Sequence, residues 1–201
     1  MLTTLAALKA ELDIVDAASD TALTTLIRQQ SAAIERYCCR SFGLRGVTDR
    51  RRLNRLTARL ILSALPVVAI TSVTVGGVAL DETAYEISES EGGDEGSGLL
   101  YRLDADGRRI CWRAGLVVVG YQAGYVLPGV TGYDLPADIE RACLDLCVRA
   151  WAARGRDPSI RSYENPDVER VTYTAADSVV YRRGLPLPVA EMLDPYRMLA
   201  L

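Results

Sequence analysis

The stretch from Tyr133 to Pro158, YDLPADIERACLDLCVRAWAARGRDP, constrains the fold more than any other. Pro136 suits a first helical position, where its missing N–H costs nothing, and Asp138 and Glu140 complement the partial positive charge of a helix start. Arg149 and Arg154, then Gly155 as a left-handed cap and Pro158, mark the stop. A helix so bounded has roughly nineteen residues and a length of about 28 Å. Ile139, Cys143, Leu146, Cys147, Ala150 and Arg154 share one face at helical spacing, and Leu144, Val148 and Trp151 form a second apolar strip beside it. Asp138, Arg141, Asp145 and Arg149 alternate in charge on the remaining surface. Docking on one small core needs a narrower strip than this. Two readings stay open: the second strip faces a neighbouring subunit, or it covers a sheet of the same chain.

A chain of 201 residues can bury one good core and a second small lobe. Its net charge of -3 supplies no global basic field toward nucleic acid or anionic lipid. No apolar run reaches the roughly 18 to 20 residues of a membrane span, and the N-terminus lacks the basic and apolar regions of a signal peptide. The five cysteines (Cys38, Cys39, Cys111, Cys143, Cys147) are odd in number, and two are adjacent. Such spacing is no secreted disulfide framework; it fits reduced, mostly buried thiols in a protein made in the cytoplasm. Lys9 is the only lysine, every other basic residue being arginine, a type suited to forked ion pairs at interfaces.

Taken in order, the chain divides into four stretches. Over 1–46, Thr3 or Thr4 can cap a short helix, and Ser19 or Asp20 a longer one whose stripe is Leu23, Leu26, Ile27, Gln30, Ile34 and Tyr37. Over 47–132 the period changes to two, with short strands at 60–62, 67–70, 72–75, 78–80, 85–87, 99–103, 109–112 and 116–121. Gly76-Gly77 and Asp106-Gly107 signal tight hairpins, so this stretch reads as a small antiparallel sandwich or barrel-like lobe. Inside it SESEGGDEGSG, 88–98, reads as a polar, acidic loop. The long helix occupies 133–158. Over 159–201 four prolines, Pro166, Pro186, Pro188 and Pro195, forbid a long helix, and the stretch reads as an extended arm with a helical turn or two near 189–193. Its apolar end, LPLPVAEMLDPYRMLAL, either docks on a partner or folds back to complete the core. The fold class is α+β: a small helical core, an inserted antiparallel lobe and a C-terminal arm.

Chemistry is limited by the complete absence of histidine, which removes histidine-dependent triads, HExxH zinc sites and most transition-metal sites. No GxxxxGK[ST] occurs, and the glycines of GGDEGSG open no helix, so P-loop and dinucleotide folds fail too. The expectation is no catalytic residue, no cofactor and no metal. One basic cluster remains: Arg50, Arg51, Arg52, Arg55 and Arg59. In a strand, Arg50 and Arg52 lie on one side and Arg51 on the other. They read as contacts to DNA phosphates or to a neighbour's carboxylates, the latter preferred, or else as a solvated edge that blocks edge-to-edge pairing.

The serial arrangement LTTLIRQQSAAIERYCCRSF, PVVAITSVTVGGVAL, GLLYRL, VVVGYQAGY, LPADIERACLDLCVRAWAARGRDP, LPLPVAEMLDPYR resembles the head–tail connector (adaptor, or head-completion) proteins of long-tailed bacteriophages and of gene transfer agents. That resemblance implies a structural virion protein without catalytic residues. It would be made in the bacterial host cytoplasm and placed at the neck as a homo-oligomeric ring, typically of twelve subunits. The ring would sit between the portal protein and a tail-side connector or tail terminator, with double-stranded DNA passing through its channel and no membrane involved. By analogy, Leu185, Leu187, Met192, Leu193, Tyr196, Arg197 and Leu199 form the portal-binding arm; Leu144, Val148, Trp151, Arg50 and Arg52 are candidates for the contact between subunits. The alternatives are another ring-forming virion part such as a tail terminator, which would be more β-dominated, a DNA-binding regulator, which would need a basic recognition helix, and, remotely, a histidine-free hydrolase.

Overall fold

Thr4 opens the first helix: its side chain accepts a hydrogen bond from Ala7 N at 3.1 Å and caps α1, Leu5–Glu11. The second, α2, spans Asp20–Cys38; Lys9 Nζ reaches the Asp20 carboxylate at 2.7 Å, tying the end of one helix to the start of the other. Leu23, Ile27, Ile34 and Tyr37 of the expected stripe are buried, and Cys39 closes the helix with a left-handed backbone, φ 55°. The computed structural model describes residues 1–88, 98–154, 162–165, 169–172 and 180–198. Two compact units emerge from it: Met1–Arg40 with Leu127–Leu201, and Ser41–Val126.

Apart from a 3-10 turn at Glu82–Ala84, the regular structure described in the second unit is β. Its strands are β1 Arg45–Leu53, β2 Leu60–Ile61, β3 Val67–Val75, β4 Val78–Ala79, β5 Tyr85–Ile87, β6 Leu99–Leu103, β7 Arg109–Ile110 and β8 Gly115–Ala123. They form two antiparallel sheets, one ordered β1-β8-β3-β4, the other β2-β6-β5 with β7 also on β6; among the described residues the strands close no barrel. Both glycine hairpins form, Gly76 and Gly77 at φ 62° and 85° between β3 and β4, Gly107 at φ 76° between β6 and β7. Two sequence readings change. The strands read at 67–70 and 72–75 are one, bent by register shifts between Val67 and Ala69 and between Ile70 and Ser72, which absorb the pause in alternation. Arg45–Leu53, whose charge hid its period of two, is a full strand paired along β8. Most of the acidic loop read at 88–98 lies outside the described residues.

The lobe's core draws on both sheets: Leu60, Leu62 and Leu100 meet Val73, Val117, Val119 and Tyr121 around a fully buried Trp112. Trp112 Nε1 donates to Leu100 O at 3.3 Å, so its one polar atom is satisfied. Asp49 also points inward. Its carboxylate accepts from Ser63 N at 2.7 Å, from the Ser63 hydroxyl and from the Tyr121 hydroxyl at 3.2 Å. Burial raises the Tyr121 phenol above its ordinary range, keeping it a neutral donor. The first and last segments of the lobe lie side by side, Tyr125 N donating to Phe42 O at 2.7 Å and Leu44 N to Tyr125 O at 2.8 Å.

Back in the helical unit, α3 spans Ala137–Ala152, with Pro136 one position earlier than expected, as the cap. Ile139, Ala142, Cys143, Leu146 and Cys147 are buried; α3 packs on both earlier helices and on α4. Two short hairpins follow, β9 Ser162–Asn165 with β10 Glu169–Thr172, and β11 Tyr181–Arg182 with β12 Leu185–Pro186. Helix α4, Leu187–Leu193, and a 3-10 turn, Asp194–Tyr196, end the described chain. The stretch read as an extended arm therefore folds back over 185–198. Its physical reason is spacing: Leu185, Val189, Ala190 and Leu193 fall on one side and are buried within this unit.

Gly124 tests the lobe's closure. Its φ is 109°, and a β carbon there would stand 2.6 Å from Gly43 O. Gly124→Ala should cost upwards of about 2 kcal/mol in urea unfolding. Gly107→Ala, at positive φ but with open space around it, should cost only about 1 kcal/mol.

Candidate assembly surfaces

Three groups of the expected residues meet very different surroundings. In the C-terminal segment Leu185 and Leu193 are buried in the helical unit, so they hold the segment in place. Leu187, Met192, Tyr196 and Arg197 are half-buried, and Leu199 lies outside the described residues. A latch that sequence reading missed secures this segment. The Tyr37 hydroxyl of α2 donates to Asp194 Oδ1 at 2.7 Å, and Arg182 pairs with the other Asp194 oxygen. Arg197 stands over the Tyr37 ring at 5.9 Å, Met198 N donates to Cys38 O at 2.9 Å, and the Tyr196 hydroxyl donates to Asp138 Oδ2 at 3.4 Å. Burial, then the bond to Asp194, raises the Tyr37 phenol above its ordinary value of 10.0. A signal was present: Tyr37 is the one stripe residue of α2 that joins an aromatic ring to a polar tip.

Leu144, Val148 and Trp151 of α3 are all half-buried. Trp151 alone of the three lines a groove of about 620 Å³ with Ala22, Leu26 and Gln29 of α2, and the Arg154 guanidinium lies 4.8 Å above its ring. The charged stripe behaves as expected, Arg141 bridging Glu11 at 2.9 Å and Asp145 at 2.7 Å. In the β lobe, Arg50 and Arg52 lie opposite Val118 and Leu116 of β8, Arg51 opposite Val117, and all three are exposed. Asp49, between them in register, was missed; its inward position follows the alternation of Val47 and Leu53.

The cysteines do not converge on a reactive centre. All five are free thiols; Cys38, Cys143 and Cys147 are buried, and Cys39 and Cys111 exposed. Burial pushes Cys38 up to about 11, and the hydrogen bond to Cys143 together with burial pushes Cys147 upward as well. Cys143 Sγ lies 3.7 Å from Ser31 Oγ, which accepts from Leu2 N at 3.0 Å. Among the described residues no group of three or more Cys, Asp or Glu could hold a metal ion, and no helix is long and apolar enough to cross a membrane.

Fold and surfaces together define an α+β subunit with a discontinuous helical scaffold, an inserted antiparallel lobe and a latched C-terminus. The sequence matches the head completion protein family over residues 1–199, and the chain belongs to that family. It is a structural protein of virion-type particles. Its fold is similar to a chain in the neck of an empty GTA particle computed with C6 symmetry, at 18% identity and a TM-score of 0.58, covering 98% of this chain and 90% of that one. A chain in the virion of a native gene transfer agent (GTA) particle matches at 16% identity and 0.53, covering 98% and 90%. One in the neck of a native GTA particle computed with C12 symmetry matches at 18% and 0.51, covering 98% and 92%. At these identities the likeness is one of fold. No curated protein matches.

Two outcomes follow from the buried groups. In native protein at pH 8, Ellman's reagent should titrate Cys39 and Cys111 rapidly, with Cys38, Cys143 and Cys147 reacting only after denaturation. Tyr37→Phe should lower stability by about 1–2 kcal/mol at pH 7 in urea unfolding. The stabilisation from the neutral phenol is complete below pH 10.0 and is lost as pH rises through the raised value, so the variant should lose part of the alkaline decline in stability.

Proposed function

We propose that this chain is the ring adaptor at the neck of a phage-like particle, joining the portal of a DNA-filled head to a tail-side connector or tail terminator. The observation that carries this reading is the family match across 1–199, supported by a fold that covers 98% of the chain on structures of GTA necks. Twelve copies pack head to tail, a multiplicity in keeping with the C12 symmetry of one of those necks. Double-stranded DNA passes through the channel, and the chain supplies no catalytic residue.

Within that ring the latched C-terminus faces the portal. Leu185 and Leu193 anchor it from beneath, while Leu187, Met192, Tyr196, Arg197 and Leu199 supply contact; Tyr and Arg are the residue types most often found as interface anchors. Leu144, Val148 and Trp151, with Arg50 and Arg52 of the lobe, supply contacts between neighbouring copies. Electron microscopy of the purified chain with portal-bearing heads tests the whole reading: a ring coaxial with the portal supports it, and free heads or a dimer on DNA refute it. Truncation after Tyr196 keeps the Tyr37–Asp194–Arg182 latch. It should leave a soluble, folded subunit that no longer attaches to those heads, giving filled heads without tails; normal attachment would remove the portal role from this segment.

A further inference from the structure

Beside the C-terminal latch the helical unit holds a smaller cavity, of about 210 Å³. The end of α2 walls it through Ala33, Arg36, Tyr37 and Cys39, and the β11–β12 hairpin through Arg183 and Leu185. Two arginines thus reach one small space from elements far apart in sequence. Among the described residues the lining holds no carboxylate. Asp194, the carboxylate of the latch, is not part of it, and its two oxygens are taken by Tyr37 and Arg182. Arg183 is held in place by an unfavourable backbone. With Gly184 it forms the two-residue turn between the paired Arg182 and Leu185, at φ 51° and 87°. Turns of this kind take Asn, Asp or Gly at their first central position, where a bulky side chain is disfavoured. Two like charges facing one cavity add a second cost, which an entering anion turns into attraction.

We infer that this cavity is a carboxylate site, filled in the assembled neck by an Asp or Glu side chain of the portal protein. A guanidinium is a planar fork of donors that matches a carboxylate, and two of them can share its oxygens. Ala33, Leu185 and the Tyr37 ring supply apolar wall for the methylenes that precede the carboxyl group. Tyr37 belongs to the cavity and to the latch alike, so a partner seated on the latch is within reach of both arginines. Duplex DNA is the poorer occupant. Its phosphates form a close-spaced row on a convex surface and meet many cations at once, whereas a hole of this volume admits the end of one side chain.

The inference rests on the reading that the latch faces the portal, and the experiments separate the two. In the isolated chain, acetate should shift the Nε–H signals of Arg36 and Arg183 in NMR spectra, relative to chloride at equal ionic strength. It should also slow alkylation of the exposed Cys39 by iodoacetamide and leave the exposed Cys111 unchanged. Arg183→Glu should abolish both responses, and Arg28→Glu, further back on α2, should leave them. Acetate responses no larger than those to chloride overturn the site; if Arg183→Glu then also loses retention on double-stranded DNA, phosphate is the ligand. The partner is read separately. Lys9 is the only lysine, so Arg183→Lys introduces a nearly unique amine for carbodiimide coupling. On portal-bearing heads that amine should form an amide with a portal Asp or Glu, located by mass spectrometry. Amides only to carboxylates of this chain overturn the portal as partner. Arg183→Glu, its fold checked by circular dichroism, should lower attachment to those heads by about tenfold or more. Arg36→Glu, at an exposed helical position, gives the same reading if the hairpin variant fails to fold. Normal attachment of the folded variant overturns the contact while the ring reading stands. If the unaltered chain forms no ring on the heads, the ring reading and the portal contact fall together, and the acetate response alone decides the site.

Discussion

The packing of α3 against α1, α2 and α4 is the interaction on which the helical unit depends, and it joins pieces remote in sequence. Ser31 meets Cys143 and Thr3 donates to Glu140 Oε1 at 3.2 Å, across the whole inserted lobe, while Tyr37 reaches Asp194 near the other end of the chain. No local turn supports these contacts. They stand on burial of Leu8, Leu23, Ile27, Ile34, Ile139, Leu146 and Leu193, each contributing about 1.5–3 kcal/mol when removed from water. The buried face of α3, Ile139, Ala142, Cys143, Leu146 and Cys147, belongs to a helix that packs on the N-terminal pair and on the C-terminal fold-back alike.

Much of this was legible before any coordinates. The Thr4 cap, the α2 stripe, the glycine hairpins and the buried face of α3 are local signals, set by spacing and by a few residues with restricted backbones. Failures had a common origin in tertiary context. Arg45–Leu53 reads as polar because an edge strand can carry charge on both faces, so its alternation was masked until β8 was seen beside it. Prolines over 185–195 suggested extension, yet Pro188 sits in the first turn of α4, where proline is tolerated. Of the expected contact residues, Leu185 and Leu193 are buried at the spacing they share with Val189, while Leu187 and Met192 fall off that spacing and are half-buried. Asp194 and Asp49 were invisible because a carboxylate's partners lie elsewhere in the chain.

The surfaces differ in kind. The C-terminal segment is held by neutral and charged hydrogen bonds around Tyr37, so its conformation is fixed from within the subunit. The α2–α3 groove has mostly apolar walls, among them Ala22, Leu26 and the Trp151 ring with the Arg154 guanidinium above it.

The seam of the lobe bears on how the chain folds. Because Phe42, Leu44 and Tyr125 are bonded side by side, a lobe that has folded first delivers residues 40 and 127 close together. The search by which α3 finds α2 is then closure of a short hinge, no longer closure over 41–126, a difference of about 2–3 kcal/mol on the logarithmic loop law. Folding order thereby becomes a property of the insertion: a β lobe that is slow to close delays the helices it interrupts, and one that closes early nucleates them.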